Sequence, residues 1–263
     1  MVDVDGLQFD AQVSRRIEAV YTTPDVVEQR QAVRAALALR PGDRVLDIGV
    51  GPGLLAAEMA GEVGPDGRIC GIDISDSMLA IARTRADVPG GPGVELEQAS
   101  VDRIPYPAES FDVVVSTQVF EYVEDVAGAL REVRRVLRPA GRVVLLDTDW
   151  GSVVWRSNDD PRMARVLTAF EDHLADPHLP RTLADVLVKT GFTPTHQQVV
   201  PILNTGYDER TFSAGLIDIV SDFVPGHGDV TAEETAAWAN DLRGLGDSYF
   251  FSLNRYLFVA SAL

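Results

Sequence analysis

One cysteine in 263 residues, Cys70 inside an apolar run, cannot form an internal disulfide, and a reducing, cytoplasmic setting is expected from that. Histidine is also scarce. His173, His178, His196 and His227 are scattered, without an HxxxH pair or a cysteine cluster, so no metal centre is expected. Basic residues are few: 23 Lys and Arg against 40 Asp and Glu leave a net charge of −17. Without a basic stripe there is nothing to neutralise phosphates, which argues against nucleic acid and against an anionic membrane surface. No apolar leader and no long hydrophobic span is read, so neither secretion nor a membrane anchor is expected. Internal repeats are lacking as well.

What the chain does have is a strand that bends on glycine. Val45, Leu46 and Ile48 read as a strand buried on both faces, interrupted by the carboxylate of Asp47. A buried acid is costly unless something pairs with it. Gly49, Gly51 and Gly53 then make a tight turn into a helical run from Leu54, whose free N–H groups face the same spot. Strand, turn and helix form a seat for a ligand. A dinucleotide fingerprint needs G-x-G-x-x-G, and here the third glycine comes one residue early, with Leu54 in the required place.

Upstream, Thr23-Pro24 predicts a helix to about Leu39, and Arg30 falls on its apolar stripe with Val26, Val33 and Leu37. An inward guanidinium either meets an anion or snorkels at the edge of the face. Residues 1–20 read as polar and irregular. Downstream, a second strand closes on Asp73, 20 positions beyond Gly53, where a carboxylate can accept from both hydroxyls of a ribose. An N-cap role for Asp73 is the alternative, but Ser75 and Asp76 already supply one. Strands near Val94–Glu97, Phe111–Ser116 and Arg142–Asp147 alternate with helices, which predicts a parallel sheet.

The acid-bearing strand and its Asp-x-Gly-x-Gly-x-Gly run resemble motif I of the class I S-adenosylmethionine-dependent methyltransferases. Residues 24–150 extend the likeness, toward the small-molecule enzymes related to the quinone-biosynthesis methyltransferases. It rests on an ordered set: the glycine motif, Asp73, Ile104-Pro105-Tyr106, Phe111-Asp112, and Leu137 to Arg142. The resemblance implies an α/β, Rossmann-like, mostly parallel seven-stranded sheet with an antiparallel last strand. It implies S-adenosylmethionine as cofactor, with Gly49, Gly51 and Gly53 along its methionine and ribose. Asp47 would orient the loop or the cofactor's amino group, Asp73 with Ile74 beside it would hold the ribose, and Gln118 would lie near the sulfonium. Arg30 matches a helix arginine that pairs with the cofactor carboxylate in some relatives. One departure stands out: where relatives carry an Asp before an Ala for the adenine amino group, this chain has Ser100 and Val101, so adenine contact leans on backbone or on Asp102.

In-line methyl transfer requires the acceptor to be held behind the methyl group with water excluded, and orientation of that kind can supply about 7–11 kcal/mol. If the acceptor is a weak acid, a general base is needed, and Glu121, Asp149, His173 and His178 are candidates beside a plain reading as caps or solvated groups. Residues 1–150 are read as N-terminal helices and cofactor core. Residues 151–263 are read as an acceptor-side half that completes the sheet, with a helical lid at about 208–245. Phe212, Leu216, Ile219, Val220 and Phe223 fall at helical spacing there, and some of these would line an apolar acceptor pocket with Trp150, Trp155 and Tyr207. The expected partner is a small, partly apolar acceptor, and a homodimer stays open. Two other readings remain: a nicotinamide-dependent reductase, and a non-catalytic module that binds the cofactor or a related nucleoside.

Overall fold

A computed structural model describes residues 11–263. One sheet runs through the molecule. The parallel strands β1 (Arg44–Ile48), β2 (Arg68–Asp73), β3 (Val94–Gln98), β4 (Phe111–Thr117) and β5 (Leu137–Thr148) lie in the order β3-β2-β1-β4-β5. The last strand, β8 (Phe250–Ala262), pairs antiparallel with β5 on one edge and with the long β7 (Phe192–Thr205) on the other. The two-residue β6 (Val154–Trp155) pairs with β8 at Ser252 and Phe251, beyond the end of the β5 contact. Seven main strands, mostly parallel with an antiparallel last one, match the expectation, and β6 is an addition to it. The strand order reverses between β1 and β4, and open α/β sheets bind ligands in the crevice at such a point.

Both faces of the sheet are covered because its central strands are apolar on both sides. Helices α2 (Pro24–Leu37), α3 (Leu54–Val63) and α4 (Asp76–Arg83) bury Val33, Leu37, Met59 and Leu79 against one face. On the other, α5 (Val126–Val136) and α7 (Pro180–Lys189) bury Leu130, Val133, Leu183 and Leu187. A third apolar cluster belongs to α6 (Asp160–Glu171), α8 (Phe212–Phe223) and α9 (Ala232–Gly244), centred on Trp155, Phe170, Trp238 and Phe251. The stretch 208–245, expected to form a helical lid, contains the helices α8 and α9, packed with α6 in this cluster.

Two expectations need correction. Residues 11–20, read as irregular, belong to helix α1 (Ala11–Tyr21); residues 1–10 lie outside the described residues. The helix buries Ile17 and Val20 and packs against α8, and the helical spacing of Val13, Ile17, Val20 and Tyr21 is the signal that finds it. Thr23 does not cap α2 with its side chain: Oγ1 donates to Val20 O at 2.7 Å and closes the end of α1 instead.

Candidate active site

A cavity of about 1490 Å³ opens at the C-terminal ends of β1, β2, β4 and β5. Its first half is built by backbone. Gly49 has φ +69°, and a Cβ there would stand 2.1 Å from Val119 Cγ2, so only glycine lets the turn meet the loop after β4. Gly51 faces the cavity, and its N–H donates to Asp73 Oδ2 at 2.9 Å. Gly53 does not line the cavity; a Cβ at that position would stand 3.0 Å from Ala82 of α4, so its role is close packing of the turn on that helix.

Asp73 Oδ1 accepts from Ser75 N at 2.8 Å, and Ser75 itself caps α4 by accepting from Met78 N. Each Asp73 oxygen keeps a lone pair for a ligand. Burial raises the Asp73 carboxyl above the usual range, although the N–H groups of Ser75, Gly51 and Ile74 oppose the shift. Asp47 is buried and accepts no hydrogen bond from any described residue. Burial, with the charge of Asp73 second, pushes its carboxyl up to about 8. On the far rim, Ile74 is 66% exposed, and Gln98 Nε2 holds its carbonyl at 2.9 Å. Val101 is buried, whereas Ser100 Oγ donates to Asp102 Oδ2 at 3.0 Å and accepts from Asp102 N at 3.3 Å.

Arg30 also lines the cavity, but its Nε donates to Glu58 Oε1 at 3.1 Å and its Nη1 to Tyr21 O, which ties α1 and α2 to α3. The fully inward polar residue of α2 is its neighbour Gln29. Gln118, just past β4, holds φ +59°, a conformation that a residue with a Cβ adopts at a cost. Its N–H donates to Leu146 O at 2.7 Å, its Oε1 accepts from Thr148 Oγ1 at 3.0 Å, and its buried Nε2 has no partner.

The second half is built by side chains from distant elements. Glu121 is buried, and its Oε2 accepts from Thr148 N at 3.0 Å. Asp147 fixes the loop that carries Glu121, accepting from Val119 N and Glu121 N at 3.1 and 3.3 Å. Burial first, then the nearby Asp147 carboxyl, pushes Glu121 up to about 8. His173 lines the cavity beside Trp150 and Phe170, and its Nδ1–H donates to Phe170 O. Burial lowers it to about 4, so the ring is neutral near pH 7. Asp149 lies outside the cavity lining. It is bound by Arg181 Nε and Nη2, both at 2.9 Å, and by His178 Nδ1 at 3.1 Å. Burial opposes ionisation there, but Arg181 and His178 outweigh it and hold the carboxyl below its usual range. Both Asp149 oxygens are therefore engaged within the fold.

Of the eight apolar residues named from α8 and the aromatics, Trp150, Phe212, Leu216 and Ile219 line the cavity, and Val220 and Phe223 do not. Trp155 and Tyr207 do not: Trp155 packs edge-on against Trp238 and Phe251, and Tyr207 against Tyr249. The residue that sequence reasoning missed is Arg255 of β8, 2% exposed and lining the cavity. The signal was its parity: Phe251, Leu253, Arg255 and Leu257 share the buried face of an otherwise apolar strand. Among the described residues no group of three His, Cys, Asp or Glu could hold a metal ion, and no helix is long and apolar enough to cross a membrane.

A family model described as a methyltransferase domain matches residues 46–145. An uncharacterised 37.1 kDa protein of transposon TN4556 from Streptomyces fradiae is 31% identical over the whole of this chain and 76% of its own length. The ubiquinone/menaquinone biosynthesis C-methyltransferase UbiE of Ectopseudomonas mendocina is 42% identical over 110 residues, 41% of this chain. The chain belongs to the class I S-adenosylmethionine-dependent methyltransferases. The shared segment spans only 43% of the UbiE enzyme, so kinship with the quinone-biosynthesis methyltransferases lies in the cofactor core. Phosphoethanolamine N-methyltransferase 2 of Haemonchus contortus, in complex with S-adenosyl-L-methionine, shares the fold at a TM-score of 0.64 and 20% identity. The match covers 98% of this chain and 59% of that one.

S-adenosylmethionine is the cofactor of this methyltransferase family, and the cavity suits it on three counts. Its lining carries eight Asp and Glu residues against two Arg, so that even with Asp47 and Glu121 largely protonated near pH 7 the balance is negative, which favours a sulfonium cation. The Asp47 carboxyl awaits a donor, which the cofactor's amino group can be. The buried Gln118 Nε2 awaits an acceptor beside the end of β4.

Proposed function

We propose that this methyltransferase moves a methyl group to O, C or N of a small, partly apolar metabolite. The observation that carries the reading is the single cavity shared by the acid-rich turn of β1 and β2 and the aromatic wall of Trp150, Phe170, His173 and Phe212. When bound, S-adenosylmethionine supplies an electrophilic methyl group on a sulfur that leaves as a neutral thioether. Asp73 accepts from the ribose hydroxyls through the lone pairs its backbone donors leave free, and Ile74 covers the adenine face. Ser100, Val101 and Asp102 border the adenine edge. Asp47 and the Gln118 amide orient the methionine end, Gly49 and Gly51 let it approach the backbone, and Arg30 adds a cation at the wall. Glu121 takes the proton of a weakly acidic acceptor. His173, neutral and held through Nδ1, positions the acceptor by its ring.

Calorimetry tests this directly. Binding of S-adenosylhomocysteine with no binding of NAD(H) is the expected result, and preference for NAD(H) overturns it in favour of a reductase. Methyl transfer to at least one member of an acceptor panel, followed by mass spectrometry, is expected; cofactor binding without transfer to any acceptor would support a non-catalytic module.

A further inference from the structure

The acceptor end of the cavity holds a buried cation that forms no ion pair with any described carboxylate. Arg255 sits deep in the molecule, and its guanidinium lies 4.7 Å from the Phe212 ring centroid. Its Nε donates to Thr148 Oγ1 at 3.3 Å and its Nη1 to Gln29 Oε1, both neutral oxygens. No described carboxylate reaches it: Asp25 is spent on the N–H groups of Val26 and Phe212 and the amide of Asn204, and Glu121 on Thr148 N. Tyr21 and Tyr122 nearby are phenols, and Asp147, which also feels its charge, accepts from the N–H groups of Val119 and Glu121. A buried charge of this kind is destabilising unless an opposite charge joins it. Arg30, the other cation of the lining, is already paired with Glu58.

Resting on the methyltransferase reading, we propose that Arg255 is the acceptor anchor, and that the acceptor is a flat apolar molecule carrying one anionic oxygen group. A carboxylate or an ionised enol or phenol meets that description. A phosphate dianion does not, because Arg255 is the one unpaired cation there and the titratable groups of the lining are mostly acids. The remaining Nη2 presents to that oxygen, while Thr148 and Gln29 fix the plane of the guanidinium. Thr148 also bonds Gln118, so the anchor is joined by hydrogen bonds to the residue proposed to lie nearest the sulfonium. The adjoining ring of Phe212 and the walls of Trp150 and His173 take the apolar body.

Matched pairs test the anchor by calorimetry, on the chain alone and loaded with S-adenosylhomocysteine. The pairs are 4-hydroxybenzoate with 4-hydroxybenzamide, 1-naphthoate with 1-naphthamide and, at pH 8, 4-nitrophenol with 4-nitroanisole. The first two report a carboxylate and the third a phenolate. The expected result is a preference of about tenfold or more for the anion in at least one pair, since hydrogen bonds to a charged partner contribute at that scale. Arg255→Met should abolish the preference and Arg255→Lys retain part of it, with S-adenosylhomocysteine affinity within about twofold of the unaltered chain and Tm unchanged or raised, because an uncompensated charge leaves the interior. Equal binding of anion and neutral partner in every pair overturns the proposal. So does a loss of cofactor affinity of about tenfold in Arg255→Met, which would make the guanidinium the partner of the cofactor's own carboxylate. If the unaltered chain binds no S-adenosylhomocysteine, the methyltransferase reading fails, while the anion preference of the chain alone still judges Arg255.

Discussion

The two halves of the cavity are made in different ways. The cofactor side is assembled from three contiguous stretches, 47–53, 73–76 and 100–102, each at the end of a strand and each presenting backbone groups together with a local carboxylate. The acceptor side draws Tyr21, Gln29, Glu121, Thr148, His173, Phe212 and Arg255 from seven separate elements, and all present side chains. A site built by local backbone geometry is fixed by a short motif. A site built by side chains across 234 residues of separation is fixed only by the fold, and it can change its ligand without disturbing the motif.

Substitutions on the two sides should therefore separate into effects on turnover and effects on cofactor affinity. The largest is expected at Glu121. Glu121→Gln should lower kcat by about 100- to 1000-fold on an acceptor that must lose a proton, with cofactor affinity preserved. Because burial raises this carboxyl to about 8, the unaltered chain holds it mostly protonated at pH 7. Its rate should climb with pH and level off above about 8, and the variant should lose that rise. Equal loss of cofactor affinity in Glu121→Gln would erase the distinction between the halves.

Next in size is Asp73→Ala, which removes two ribose contacts and strands the N–H groups of Gly51 and Ser75. A loss of about 100-fold in S-adenosylhomocysteine affinity is expected by calorimetry, with the anion preference of the acceptor side unchanged. Unchanged cofactor affinity would remove Asp73 from the ribose.

How much of this was legible follows from the same contrast. Asp47, the glycine turn and Asp73 could be picked out because a charge or a missing Cβ interrupts a local pattern that is otherwise strongly periodic. Helix α1 is harder to read, because Val13, Ile17, Val20 and Tyr21 fall at helical spacing among mostly polar residues and the burial of Ile17 and Val20 depends on α8, some 195 residues away. Arg30 was read from its place on the apolar stripe of α2, whereas the neighbouring Gln29 is the residue that reaches Arg255. Trp155 and Tyr207 were drawn to the pocket as aromatics, but the added strand β6 and the separate core of α6, α8 and α9 take them up. Asp149 carries the right chemistry in the sequence, and its occupation by Arg181 and His178 is visible only in three dimensions.

A smaller effect concerns protons. Asp47 lies well above its unfolded value, so the folded chain binds a proton there that the unfolded chain has lost. Stability from this group is present at low pH and declines as pH rises from about 4 through about 8. Asp47→Asn should flatten that part of the Tm-against-pH curve. Binding of S-adenosylmethionine should release a proton near pH 7, because a cation beside Asp47 favours its ionised form, and calorimetry in buffers of different ionisation enthalpy reads this. Zero proton release would mean that Asp47 does not face the cofactor's charge.

The smallest effect is expected at Ser100, where the resemblance to the family implies an Asp. The hydroxyl already donates to Asp102 and accepts from its N–H, so it opens the short turn Val101–Arg103 as a cap does. Loss of such a cap costs about 1 kcal/mol at most where the turn is held by its neighbours, and Val101 is buried. Ser100→Ala should therefore weaken S-adenosylhomocysteine by no more than about fivefold. Asp102→Ala should exceed it, because in this arrangement the serine positions the carboxylate and the carboxylate meets the adenine amino group. A Ser100→Ala loss larger than that of Asp102→Ala would reverse the order and put the hydroxyl itself on the base.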